Sequence, residues 1–273
     1  MNTKDYIYLD EDLLNSNLAQ LEKGLLVKES SESGSESSDS ISSSSTTHTG
    51  LDGIFGFGAK LTSEIAEGDN SIETEFIRNA AEHVLSDYAV DLLIEECQAN
   101  HLLYSFNKAT EGKFVAYASD FQIYDFEYLS SLTNPDIISS VLELSKSNAE
   151  QALKTIEIFH LFSKFASILC SDSVLLKVKG GISICKRGKL RLTPAQISFD
   201  NETHRKIKIL GIISTIKEET HPAGNFTPFN DISNLDKISS MFFDITFSNF
   251  KILNKGDKII KPIAIYFEDD STY

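Results

Sequence analysis

The sequence predicts an α+β fold: a largely antiparallel sheet, several packed helices and a long disordered Ser-rich loop. Three observations lead there. Apolar residues recur at helical spacing across residues 70–100 and 147–169, and the period switches to two from Ser173 onward. Eleven of the twenty residues from Ser30 to Thr49 are serine, too polar a run to offset its ordering entropy. The chain has 273 residues and is 41% apolar, so it can fill a sizeable core and wholesale disorder is excluded.

The apolar run Tyr6-Ile7-Tyr8-Leu9 reads as a buried strand. Asp10 then caps a helix whose first turn holds Glu11 and Asp12, where the helix dipole favours carboxylates. Leu14, Leu18, Leu21 and Leu25 give that helix its apolar face, and Gly24 supplies a stop. One strand and one helix cannot bury themselves, so residues 1–28 are expected to dock on the main body. Residues 29–50 form the flexible linker. From Asn70 or Ser71 to about Asn100 a wide apolar stripe runs from Ile72 to Leu93, marking a long helix. Phe114–Tyr117 and Phe121–Tyr124 follow as strands, and Asn134-Pro135 breaks a helical stretch between Tyr128 and Leu144.

Ser147 with Glu150 has capping-box spacing and opens a helix. That helix carries Leu153, Ile156, Phe159, Phe162, Phe165, Ala166 and Leu169. Four alternating runs come next: Val174–Lys179, Ile182–Cys185, Lys189–Leu192 and Lys206–Leu210, with turns at Gly180-Gly181 and Arg187-Gly188. A last helix spans Ile232 to Phe247, with strands near Phe250–Leu253 and Ile263–Phe267. The pattern thus divides into a mainly helical part with a short hairpin, 51–170, and a mainly β part with one helix, 171–273.

Charge is unevenly distributed. The chain carries a formal −15, yet ten of its twenty-five Lys and Arg residues lie between Val174 and Lys217, against only Asp200 and Glu202. Alternation puts Lys177 and Lys179 on one strand face, Lys189 and Arg191 on another, and Lys206 and Lys208 on a third. If those strands are neighbours in matching register, the six cations share a face suited to a phosphate-rich ligand, a nucleic-acid backbone or an acidic partner. Aromatic interleaving for base stacking is missing, and lysine on the wet side of a sheet also guards against edge pairing.

Other chemistries find little support. Asp10 and Asp12 after a strand resemble the nucleophile loop of haloacid-dehalogenase-type phosphatases, but Leu13-Leu14 follow where that motif needs a small or β-branched pair. Asp120, Asp125 and Glu127 offer carboxylates for a divalent ion, although Asp120 and Asp125 point to opposite strand faces. Glycines 50, 53, 56 and 58 lack the preceding strand of a nucleotide loop. Ile54, Phe55 and Phe57 lack the basic flank of a membrane-interface segment. The six histidines never pair at ligand spacing, so no metal, cofactor or catalytic residue is assigned. The first residues lack a secretory pattern, no run is apolar enough to cross a membrane, and three widely spaced cysteines suit a reducing compartment. Those features together predict a cytoplasmic protein.

Tyr8-Leu9-Asp10, Leu14-Asn15-Ser16 and Ala19-Gln20-Leu21 resemble the opening of an uncharacterised bacterial family. Tyr124-Asp125-Phe126-Glu127-Tyr128-Leu129 and Lys206–Gly211 are similar to later segments of it. The resemblance covers nearly the whole chain outside the serine tract. It implies an intracellular bacterial protein from a mobile-element or phage-defence setting, and it brings no catalytic residue. The expected function is non-enzymatic binding of a protein partner through the basic strands or the helices. A nucleic-acid or nucleotide-binding module, and a metal-dependent phosphoesterase using Asp10, Asp12 or Asp125, are the alternatives.

Overall fold

Strands that neighbour one another in this protein are mostly far apart in sequence. The computed structural model describes residues 4–21, 86–141, 149–200, 205–218 and 235–268. The serine tract, Gly24, the glycine run 50–58, the start of the helix expected from residue 70, and the Ser147 cap all lie outside the described residues. The chain falls into two compact units, residues 1–10 with 101–273, and residues 11–100.

In the smaller unit, α1 (Glu11–Leu21) begins with Glu11 and Asp12 in its first turn and buries Leu14, Asn17 and Leu18. Asn17 is accommodated because its Nδ2 donates to the Leu13 carbonyl at 2.6 Å. Residues 86–99 form a second helix, α2, with Val90, Leu93 and Cys97 fully buried.

The larger unit contains one eight-stranded sheet, mostly antiparallel. Its strands are β1 (Lys4–Leu9), β2 (Leu103–Tyr104), β3 (Phe114–Ser119), β4 (Phe121–Tyr124), β5 (Ser173–Val178), β6 (Gly181–Lys186), β7 (Ile207–Ile216) and β8 (Lys258–Glu268). They run in the order β2-β3-β7-β8-β6-β5-β4, with β1 also on β8. Only β2–β3 and β6–β8 pair in parallel. β3 and β4 stand near opposite ends of that order, yet Asp120 alone separates them in sequence. The sheet therefore has to curl until its ends meet, as in a small barrel. Ser119 accepts a 3.2 Å bond from the Lys179 backbone N–H and so ties the corner to the β5–β6 turn. Inside lies one apolar cluster drawn from both ends and the middle of the sheet, including Val115, Ile123, Leu176, Ile209, Ile265 and Phe267.

β8 organises the sheet. β7 pairs along one edge, while on the other β6 pairs with Lys258–Ile260 and β1 with Ala264–Glu268. Pro262 removes a ladder donor from this central strand, and the register with β7 shifts beside it: Leu210 pairs with Ala264 and Gly211 with Pro262, which leaves Ile263 as the extra residue on β8. A Cβ on Gly211 would come within 2.8 Å of the Lys261 carbonyl, so glycine permits this close approach. The Lys258 ammonium is buried and donates to the carbonyls of Phe106, Asn107 (3.2 Å) and Ala109 (2.8 Å), pinning the loop before β3. Burial lowers its pKa.

Helices cover the outer face of β5 and β6. These are α3 (Phe126–Leu132), α5 (Ala149–Leu169) and α7 (Leu235–Asn249); α4 (Pro135–Val141) packs on α5, and a further short helix, α6, spans Pro194–Asp200. Ala166 and Cys170 of the α5 segment, Phe126 and Phe247 pack against Leu175 and Ile182 of the sheet. Asp125 caps α3 by accepting from the Tyr128 N–H at 2.9 Å.

The structure corrects two expected strands. Residues 187–189 wind into a 3₁₀ turn, and Leu190 makes one isolated bridge to Tyr8, so Lys189–Leu192 is not a strand. Phe250–Leu253 is a helix stop. Lys251 adopts φ 57°, and the N–H groups of Ile252 and Leu253 both return to the Phe247 carbonyl while their side chains enter the core. α6 was not expected, although Thr193 and Gln196 form its capping box: Thr193 N–H donates to Gln196 Oε1 at 2.8 Å.

Candidate functional site

The basic segment does not gather into one face. Lys177 shares its face of β5 with Leu175, on the side where the helices pack, and its Nζ sits 2.5 Å from Asp257 Oδ2 with both side chains largely buried. β5 and β7 are separated by β6 and β8. Lys208 on β7 instead stands opposite Tyr266 and Ala118. Lys206 is exposed just before β7, and Lys179 is exposed at the β5–β6 turn. Lys189 lies in the 3₁₀ turn, and the Arg191 guanidinium is 5.1 Å from the centre of the Tyr6 ring. The expected set of three adjacent strands with two cations each is therefore corrected on both counts, adjacency and strand character.

The remaining cations of the segment are held by carboxylates. Lys186 meets Asp10 at 2.9 Å, Arg205 meets Asp5 at 3.4 Å, and Lys217 meets the buried Asp244 at 2.6 Å. Arg187 grips Asp125 with two bonds of 2.6 and 2.9 Å, and its Nε lies 3.0 Å from Glu127. Asp125 raises the Arg187 pKa, chiefly through the side-chain hydrogen bonds. Charge that looked like a surface potential in sequence works inside the fold, joining β6 to β1, the β6 end to α3, and β7 to α7.

Three of the carboxylates that could serve metal or phosphoester chemistry, Asp10, Asp125 and Glu127, have structural partners. Asp10 is buried beside Lys186 and lies 3.5 Å from the Tyr8 hydroxyl. Asp125 caps α3 and holds Arg187. Asp120 is exposed at the β3–β4 corner and Asp12 on α1. Among the described residues, no three His, Cys, Asp or Glu side chains lie close enough to share an ion. His160 uses Nδ1 against the Ser130 carbonyl at 3.0 Å, bracing α5 on α3. The cysteines are free and buried.

The surface feature that stands out is on α5. Ser163, Ala166 and Cys170 face the core, whereas Ile158 (68% exposed), Leu161 (66%), Phe165 (40%) and Ile168 (68%) line the opposite side. Spacings of 3, 4 and 3 residues place these four in one row about 15 Å long. Phe165 makes one edge contact with Phe242 of α7, ring centres 5.8 Å apart. Phe159, which with Phe165 belongs to the apolar set that marks this helix in the sequence, is also 54% exposed. Ile158, Leu161 and Ile168 lie outside the apolar set that marks this helix in the sequence. The signal was present, because ten of the seventeen residues from Leu153 to Leu169 are apolar and they circle the helix. One buried face cannot use them all.

No helix among the described residues is long and apolar enough to cross a membrane. No curated protein matches the sequence, and no solved structure does either. Residues 3–266 match the family model for a domain of unknown function, DUF6414, and that span of nearly the whole chain makes this protein a member of the family.

Proposed function

We propose that this domain is a non-enzymatic cytoplasmic binding protein of a bacterial cell, acting through a protein partner that covers the outer row of α5. The mobile-element or phage-defence setting implied by the resemblance is compatible with that role. The supporting observation is the row itself: four large apolar side chains kept in water on a helix whose opposite face is well packed. An aligned apolar row of this kind is the usual mark of a surface that another molecule completes. At least five of the ten cations in the basic segment are already neutralised within the chain, which leaves that segment less to offer a nucleic acid.

The test is affinity capture from the source cell, comparing wild type with Leu161→Asp by quantitative mass spectrometry. The proposal expects one or a few proteins that accompany wild type and disappear with the variant. Identical captured sets would overturn it.

A further inference from the structure

Resting on that reading, we infer that the outer row of α5 receives an amphipathic helix of a different protein, one carrying an apolar 3-4 seam and a carboxylate placed beside Lys164. The spacing makes the case for a helix. Ile158, Leu161, Phe165 and Ile168 occupy the a, d, a and d positions of two successive heptads, the repeat that keeps one seam facing a partner helix. The flanks are unequal. Phe162, on one side, turns inward against Phe126 and Phe250, with ring centres 5.8 and 4.1 Å away. On the other side Glu157 and Lys164, both exposed, supply the charges that set orientation.

Those charges disfavour a second copy of this chain. In the antiparallel register that matches all four apolar residues, Ile158 faces Ile168 of the copy and Leu161 faces its Phe165. Lys164 then faces its own counterpart, a like-charge contact. Sliding by one heptad sets Glu157 against Lys164 but opposes Phe165 with Lys154 and Ile168 with Gln151. A parallel pair brings Phe162 and Leu169 alongside Glu157 and Lys164, with no counter-charge. Two copies also bring together two chains of −15 each. A foreign helix with its own seam meets none of these conflicts.

The probe is a fluorescent synthetic peptide of about three heptads with Leu at every a and d position. Both versions carry Lys at the flank position that faces Glu157, one carries Glu and the other Lys at the flank position that faces Lys164, and each is titrated with the purified full chain by anisotropy. We expect the Glu peptide to bind saturably and the Lys peptide about 2–5-fold more weakly, the scale of one exposed ion pair. Lys164→Glu should reverse that order, and Ile158→Glu with Ile168→Glu should weaken both by at least about tenfold. Circular dichroism of each variant confirms the fold. Failure of both peptides to bind overturns the inference, as does binding that the Glu variants do not weaken. So does a row-dependent dimer in light scattering, or row-dependent pelleting with phosphatidylglycerol vesicles. A photo-crosslinker at position 161 that reacts only within its own chain would overturn it too. If peptides fail while Leu161-dependent capture persists, only the helix assignment falls. Capture indifferent to Leu161 removes both.

Discussion

Arg187 lies in the segment whose charge attracted attention, yet its two bonds to Asp125 span 62 residues of chain and tie the end of β6 to the cap of α3. The Asp125 side chain is only 4% exposed. Replacing Arg187 with Met leaves a buried carboxylate without its main counter-charge, a change that costs about 3 kcal/mol. Urea unfolding should record that loss, and adding Asp125→Asn, which keeps a capping oxygen, should restore part of it. Loss below about 0.5 kcal/mol would show the pair to be incidental.

Glu111 gives a pH prediction. Bonds from the Thr215 hydroxyl (2.8 Å) and the Ile216 N–H (3.0 Å) favour its ionised form and hold its pKa below the ordinary glutamate value. Its contribution is therefore present above the unfolded-state pKa and is lost as pH falls through the folded-state one. NMR titration should place Glu111 below a free glutamate, and Thr215→Val should move it up. The thiols behave oppositely. Burial pushes Cys97 up to about 11 and Cys170 up to about 12, and it raises Cys185 as well. At pH 8 a disulfide reagent should label none of the three in the folded chain and all three in denaturant.

At the scale of elements, strands and helices were legible wherever one local rule decided them. Period two over Val174–Val178 and the turn after it gave β5 and β6, and Asn134-Pro135 separated α3 from α4. Lys189–Leu192 alternates as well as β5 does, but strand identity needs a ladder partner, and only Leu190 finds one. The candidate site failed for a related reason. Alternation gives a side chain's face within its own strand, whereas adjacency of strands depends on a curl set by distant contacts and by a one-residue corner. The α5 row is not legible in the sequence because apolar residues circle the helix, and spacing alone does not say which of them the core takes.

Two element-level outcomes follow. Gly181 lies where a Cβ would come within 2.7 Å of the Lys258 carbonyl, so Gly181→Ala should destabilise the β6–β8 junction by about 1–3 kcal/mol in denaturant unfolding. Ile158→Glu, on the exposed row, should change stability by less than about 0.5 kcal/mol. A larger loss there would mean the row is packed in the free protein.

The whole larger unit converges on β8, which borders β7, β6 and β1 and places Ile260, Ile263, Ala264 and Ile265 at full burial. A chain ending at residue 256 should accordingly lose dispersed amide resonances and precipitate, while substitutions on α4, a short peripheral helix, leave the spectrum dispersed. A soluble, well-dispersed truncated chain would show that the remaining strands close without β8.

β1 is translated more than 250 residues before the strand that receives it. On the ribosome, therefore, its apolar Tyr6–Leu9 run has to wait, unsatisfied, while almost all of the domain is synthesised. For tens of seconds at ordinary elongation rates this nascent chain is a client for holding chaperones. Premature termination anywhere upstream of β8 yields a polypeptide that quality control should recognise and destroy.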